Sequence, residues 1–325
     1  MNGVPPRSSS ATSRDGSARV MVVGGAGFIG SHLVDRLVGE SALVERVDVV
    51  DSLVTGTLAH LAEARSTSNG RLHIHTMDAT APEFPAIVTK AAPTVIHVLA
   101  AFAPGQTDAM GSARSFAVVM SVLEAARLAR VSKVVVTLPA VPLYGDVAVR
   151  DLPVKEDHER RPVGAVGVTV ESVLDLLDHF RRDHNVDFTA LALSTVYGPR
   201  QRPDGSVVAT FLDVARLGGR AAIYGDGRQT RDLLFVADAV DALFRSTTKG
   251  DGLLLNIGTG LQTSVSDLWA MIGGSREIGS APSRPFDVKR SALSPSRARL
   301  QLGWSPWTSV ADGIVTTAAS LAPST

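Results

Sequence analysis

The chain has no cysteine among its 325 residues. Disulfides, thiolate metal sites and cysteine nucleophiles are therefore excluded. Charge of one sign is not in excess either, with 32 basic residues against 32 acidic ones. A zero formal balance argues against a broad nucleic-acid surface, which needs clustered Lys and Arg. Lysine is scarce, at five against 27 arginines, and tyrosine occurs only at 144, 197 and 224. The eight histidines never take an HExxH-type spacing, so no metal is expected. No stretch approaches the roughly eighteen uninterrupted apolar residues of a membrane span. Residues 1–18 are polar and rich in Ser, Pro and Arg, without the apolar run of a signal peptide. They read as a disordered tail, and the cytoplasm is the expected location.

What is present is a repeating pattern. Arg19–Val23, Arg46–Val50, Leu72–Thr76, Thr94–Val98, Lys133–Leu138 and Asp187–Leu193 are short apolar, largely β-branched runs. Helix-spaced stretches separate them, at Phe28–Val38, Phe84–Ala91, Ser115–Ala129 and Val163–Arg182. Strands alternating with helices imply crossover connections. The fold class is α/β, a Rossmann-type doubly wound parallel sheet spanning 19–196. Beyond Tyr197 the pattern loosens, with helices near Val207–Leu217, Ala237–Ser246 and Ser264–Met271 among turn clusters. Residues 197–325 read as a smaller substrate-binding domain, some of whose strands return to the main sheet. Ser275–Pro295, rich in Ser and Pro, reads as a mobile loop.

One loop carries a ligand signal. Gly24, Gly27 and Gly30 follow the first strand and open a helix through Phe28 and Ile29. Glycines there permit a tight turn, close backbone approach to a pyrophosphate and close helix–strand packing. The helix N-terminus offers free N–H groups and partial positive charge to phosphate. Asp51 ends the second strand 21 residues beyond Gly30, where an acid accepts the adenosine ribose hydroxyls. It leans the site toward NADH, although Ser52, Thr55 and Thr57 are placed to help hold the extra phosphate of NADPH. The expected cofactor is NADH or NADPH.

These motifs identify a resemblance. GGAGFIGSHLVDRL from Gly24, DSLVTG from Asp51, VIHVLAA from Val95, VYGPRQ from Val196, YGDGRQTRD from Tyr224 and LNIGTG from Leu255 are similar to the extended short-chain dehydrogenase/reductases. These are the NAD-dependent epimerases and dehydratases of nucleotide sugars. The resemblance, running from Val20 to about Gly313, implies that Asp78 and Ala79 meet the adenine. It also implies that Leu99, Ala100 and Ala101 line the cofactor. Relatives dimerise through two long helices, so a homodimer through 115–129 and 163–182 is expected.

The family's chemistry uses a Tyr and a Lys four residues apart on the long helix, with a Ser or Thr on the preceding turn. No Tyr-x-x-x-Lys exists in this chain. Register against the family places Ala140, Val166 and Val170 at the three positions. Such a lining suits a flat aromatic ketone better than a sugar, whose buried hydroxyls would lack partners. A phenol beside the carbonyl could donate the proton itself. The expectation is therefore an NAD(P)H-dependent ketoreductase of an aromatic, angucyclinone-like polyketide in antibiotic biosynthesis. The shared absence and an Ala-, Val- and Arg-rich composition resemble the atypical ketoreductases of such pathways. The rivals are an inert NAD-binding module and a nucleotide-sugar enzyme with a rebuilt site. Thr137, Ser194 and Thr195 are candidates to hold a carbonyl oxygen. Ala140 and Val166 are expected to touch the substrate. Arg231 stands where relatives grip a nucleotide diphosphate, the alternative being an Arg–Asp pairing between domains. His97 reads as a packed, hydrogen-bonded histidine, and Trp304 and Trp307 as packing for the C-terminal segment.

Overall fold

The structure, a computed structural model, describes residues 17–102, 108–204, 206–273, 278–282 and 288–321. Residues 1–16, most of the expected tail, lie outside them, and Ala18 already belongs to the first strand.

Six strands form in the order of the apolar runs: β1 (Ala18–Val23), β2 (Val44–Asp51), β3 (Leu72–Thr76), β4 (Val95–Val98), β5 (Lys133–Pro139) and β6 (Asp187–Leu193). The helices between them are α1 (Phe28–Gly39), α2 (Ala62–Thr67), α3 (Phe84–Ala91), α4 (Ala109–Ala129), the short α5 (Ala140–Tyr144) and α6 (Gly164–His184). Then come β7 (Thr195–Tyr197), α7 (Val207–Arg216), β8 (Ala221–Tyr224), β9 (Thr230–Arg231), β10 (Leu233–Phe235), α8 (Val236–Ser246) and β11 (Leu253–Ile257). The chain continues through β12 (Thr263–Ser264), α9 (Val265–Gly273), β13 (Ile278–Ala281), α10 (Ser296–Leu302) and α11 (Val310–Ser320).

The main sheet has seven strands in the order β11-β6-β5-β4-β1-β2-β3, and every pairing is parallel. Alternate residues feed opposite faces, as a period of two requires. Val20, Val22, Val47 and Val135 pack in the cluster that holds α1 and α8. Met21, Val23, Val50 and Val136 pack with residues of α3, α4 and α6. Both faces are covered, which is why these strands read as continuous apolar runs.

The C-terminal third is less separate than its sequence suggests. β11 returns to the main sheet beside β6, as allowed for, and α8 packs on α1. Two readings need correction. Residues 275–277 and 283–287 of Ser275–Pro295 lie outside the described residues, but within the rest β13 pairs with β8, and Ala292 and Leu293 are buried. The Leu293 N–H reaches the buried carboxylate of Asp232 at 2.9 Å, so backbone bonding ties down the end of this stretch. Trp304 is fully buried and donates its indole N–H to the Asp238 carbonyl, but Trp307 is 60% exposed. It is the Trp307 backbone N–H that is held, at the Asp238 carboxylate.

Candidate functional site

The glycine loop stands at the carboxyl ends of β1 and β4. Gly24 has φ +87°, and a Cβ there would sit 2.8 Å from the Ala100 nitrogen. At Gly30 a Cβ would lie 2.0 Å from the Gly24 carbonyl oxygen, so α1 can approach β1 only without a side chain. Gly27 is different: a Cβ would meet only the Gly24 oxygen, at 3.2 Å. Gly27 also caps α1 without any side-chain hydrogen bond. The first-turn amides of α1 therefore have no side-chain acceptor, as an anion cradle requires. Phe28 and Ile29 are half-buried and pack on the core below.

Asp51 does more than the sequence implies. Its Oδ2 accepts the Ala26 N–H at 2.9 Å and its Oδ1 the Leu53 N–H at 2.8 Å. The end of β2 thereby clamps the glycine loop. Thr57 N–H and the His60 ring both reach the Ala26 carbonyl at 3.1 Å, and nothing in the sequence pattern marked His60. Ser52 is exposed. Thr55, Thr57, His60, Arg200 and Arg202 border a groove of about 530 Å³. Arg200 is paired with Asp35 at 2.7 Å and Arg202 with Asp204 at 3.0 Å.

Asp78 follows β3. Its Oδ1 accepts the N–H and the hydroxyl of Thr80, each at 2.9 Å, and its Oδ2 accepts from Arg114 of α4. Burial opposes ionisation, but the Thr80 and Arg114 bonds outweigh it and hold this carboxyl below its ordinary range. Ala79 is buried, and its carbonyl accepts the Ser121 hydroxyl. Leu99 N–H bonds the Val23 carbonyl, Ala100 backs Gly24, and Ala101 is buried. The expected adenosine residues thus stand along one edge of the sheet.

The three positions that the family register singles out are aliphatic, and two of them, Ala140 and Val170, are fully buried. Ala140 and Val170 belong to one buried cluster, with the half-buried Val166 packed against it. α5 and α6 interlock there: Val163 N–H reaches the Pro142 carbonyl at 2.8 Å, and a Cβ on Gly167 would lie 2.4 Å from that oxygen. Tyr144 donates to Asn256 Oδ1 at 2.8 Å, and burial together with Glu156 raises its pKa well above normal. Tyr197 donates to the Val310 carbonyl at 3.2 Å and is raised mainly by burial. Tyr224 is on β8 and 39% exposed. Lys133 is buried at the start of β5, the opposite end from the cleft, bonded to Asp251 and to the Lys249 carbonyl. Burial lowers its pKa, opposed by Asp251.

The polar candidates behave unequally. Thr137 donates to the Val98 carbonyl at 3.3 Å, so its hydroxyl serves the sheet. Ser194 Oγ is buried with no hydrogen-bond partner among the described residues. Thr195 is half-buried, and its N–H meets the Asp232 carbonyl. Arg231 donates to the carbonyls of Val288 and Thr230. Asp232 accepts from Thr259, Gly260 and Leu293. Among the described residues, these bonds of Arg231 go to backbone carbonyls, and those of Asp232 come from the loop 259–260 and Leu293. His97 Nε2 meets the Thr247 hydroxyl at 3.1 Å, while its buried Nδ1 has no partner among the described residues.

The fold and this layout have clear relatives. Residues 20–258 match the model of the NAD dependent epimerase/dehydratase family. The UDP-glucose 4-epimerase of Mycolicibacterium smegmatis is 35% identical over 314 residues, covering 92% of this chain and 97% of that one. UDP-glucuronic acid decarboxylase 3 of Arabidopsis thaliana is 27% identical, covering 91% and 86%. The crystal structure of UDP-glucose 4-epimerase with UDP-glucose from Thermotoga maritima superposes with a TM-score of 0.85 at 31% identity, covering 93% and 97%. The Thermus thermophilus UDP-glucose 4-epimerase in complex with NAD gives 0.81 at 27%, covering 93% and 98%. The sequence motifs, the seven-stranded parallel sheet and these matches lead to one conclusion: the chain belongs to the NAD-dependent epimerase/dehydratase family.

Proposed function

We propose that the chain is an NAD(P)H-dependent ketoreductase acting on a large aromatic ketone of polyketide type. The observation that carries this reading is the aliphatic cluster of Ala140, Val166 and Val170, with Tyr144 and Tyr197 bonded elsewhere. The residues present fit a nicotinamide dinucleotide: an uncapped α1 N-terminus for the pyrophosphate, Asp51 for the ribose, and Asp78 with Ala79 for the adenine. When bound, that cofactor supplies a hydride. The chain's own residues hold it, and their aliphatic lining excludes water from the reacting end.

The reacting oxygen also needs a proton. Losing a general acid costs about 10²–10⁴ in rate rather than all of it. A phenol beside the carbonyl, with pKa near 10, is comparable to free tyrosine and can donate internally. Ser194, whose hydroxyl is buried and unpartnered, is the residue best suited to help orient the oxygen.

The test follows nicotinamide absorbance and product mass with hydroxy-aryl ketones and their methyl ethers. Reduction of the free phenol and loss of turnover on methylation are expected. Equal turnover of the methyl ether sinks the internal-acid reading.

A second reading is favoured by the relatives themselves, several of which are UDP-sugar enzymes. On it the chain handles a nucleotide sugar with a rebuilt acid–base set, and Arg231 meets the diphosphate. It predicts that UDP-glucose raises the melting temperature and that Arg231→Ala removes the shift.

A further inference from the structure

The Arg114–Asp78 ion pair lies on the surface, with the arginine side chain 58% exposed. So exposed a pair contributes little to folding. Its geometry matters for another reason. A carboxylate has about four acceptor sites, two on each oxygen. Thr80 fills both on Oδ1, with its N–H and its hydroxyl. Arg114 fills one on Oδ2. Among the described residues that leaves a single acceptor site on Asp78, and it is on Oδ2.

The helix that carries Arg114 is held in register against this turn. Seven residues further along α4, on the same face, Ser121 donates to the Ala79 carbonyl at 2.6 Å. The turn 78–80 is thus tied to α4 at two points. The carboxylate cannot rotate about its Cβ–Cγ bond without breaking either the Thr80 pair or the Arg114 contact.

Resting on the dinucleotide reading above, we propose that Arg114 is a positioning residue for purine selection. With Thr80 it reduces Asp78 to one outward-facing acceptor, which an exocyclic amine can fill and an exocyclic carbonyl cannot. Adenine offers an N–H donor at that place. Hypoxanthine offers a carbonyl oxygen, which meets the anionic Oδ2 without a proton between them. Without Arg114 the Thr80 pair alone holds the carboxylate and Oδ2 loses the bond that fixes its direction, so the two bases become harder to tell apart.

The test titrates the full chain with NADH and with the reduced hypoxanthine dinucleotide, read by nicotinamide fluorescence. The wild-type chain is expected to prefer NADH by about tenfold, the scale of one charge-assisted hydrogen bond. Arg114→Ala is expected to cut the preference to about threefold or less, with the melting temperature unchanged. Arg114→Lys is expected to restore part of it. Reduced nicotinamide mononucleotide, which lacks the adenosine half, is expected to bind wild type and Arg114→Ala alike. An undiminished preference in Arg114→Ala overturns the proposal, and so does a wild-type chain that binds both dinucleotides equally. Weakened mononucleotide binding in Arg114→Ala overturns it too, because it places the effect outside the purine. A folded wild-type chain that binds neither dinucleotide overturns the cofactor reading itself, and this proposal falls with it.

Discussion

The glycine-loop region and the region of Ala140, Val166 and Val170 are built from different materials. Around the glycine loop and the turn after β3, polar atoms are densely paired: Asp51 accepts two backbone amides, Asp78 three donors, and the Ala26 carbonyl two more. Around Ala140, Val166 and Val170, side chains pack as they do in a core, and Ser194 keeps a hydroxyl with no partner among the described residues. The proposed cofactor contacts rest on backbone amides and carboxylates spread over several loops. The chemistry that the sequence resemblance implies rests on three side chains. The second can change without disturbing the first, because Ala140, Val166 and Val170 form no part of the clamp that holds the glycine loop.

The contrast can be broken most forcefully at Gly30. Gly30→Val forces α1 away from β1, given a Cβ 2.0 Å from the Gly24 oxygen. A loss of at least ~3 kcal/mol and of NADH binding is expected, read by thermal melting and fluorescence titration. If Gly30→Val binds NADH normally, the loop is not the cradle described. Rebuilding the reacting end is the complementary test. Val170→Lys places an ammonium where the native side chain is fully buried, and ~2–4 kcal/mol of stability should be lost. Combined with Val166→Tyr, it should leave reduction of a hydroxy-aryl ketone no faster. A tenfold gain would show that the wild-type chain is starved of an acid.

Asp51→Asn turns one carboxylate oxygen into a donor facing a backbone N–H. The expected cost is about 1–3 kcal/mol, with a comparable loss in NADH affinity. Calorimetric melting and titration separate the two.

The shared sheet beneath both regions has its own test. Burial, with Lys133 nearby, pushes His97 down to about 3, so it is neutral in the fold at pH 7 and protonates readily once unfolded. The unfolded chain then binds more protons between about pH 6.5 and 3. Stability from this residue is complete above that window and falls as acid is added, by at most ~1.4 kcal/mol per pH unit. Denaturant melts at pH 7 and pH 5 should show a fall that His97→Gln flattens. The smallest effect belongs to Ser194→Ala. Removing a buried hydroxyl without a partner should leave stability within ~0.5 kcal/mol or raise it. At least about a tenth of the reductase rate should survive, since one neutral hydrogen bond is at stake.

Much of this was legible beforehand, for physical reasons. β1 to β6 were visible because both faces of a parallel sheet are buried, and the apolar runs are interrupted only by crossover helices. Helix ends moved by a few residues: α4 begins at Ala109 rather than Ser115, and α6 runs on to His184. The glycine loop was legible because each glycine answers a local steric demand. His60, Thr80, Arg114 and Ser121 were not. Each acts through a partner between 2 and 42 positions away, and no periodicity encodes such a pair. The ordering of 288–293 escaped for the same reason, since its partner Asp232 is 61 residues back from Leu293.

The return of β11 to the main sheet also bears on how the protein is made. Synthesis proceeds from the N-terminus, so β6 leaves the ribosome some sixty residues before β11 can cover its flank. During that interval a strand holding Phe188, Ala190, Leu191 and Ala192 presents an open, apolar border that can pair with any passing chain. A nascent chain halted between 200 and 250 should accordingly recruit chaperones, and one released past 260 should not. Swapping the C-terminal third for that of a relative at residue 197 would exchange this border strand as well.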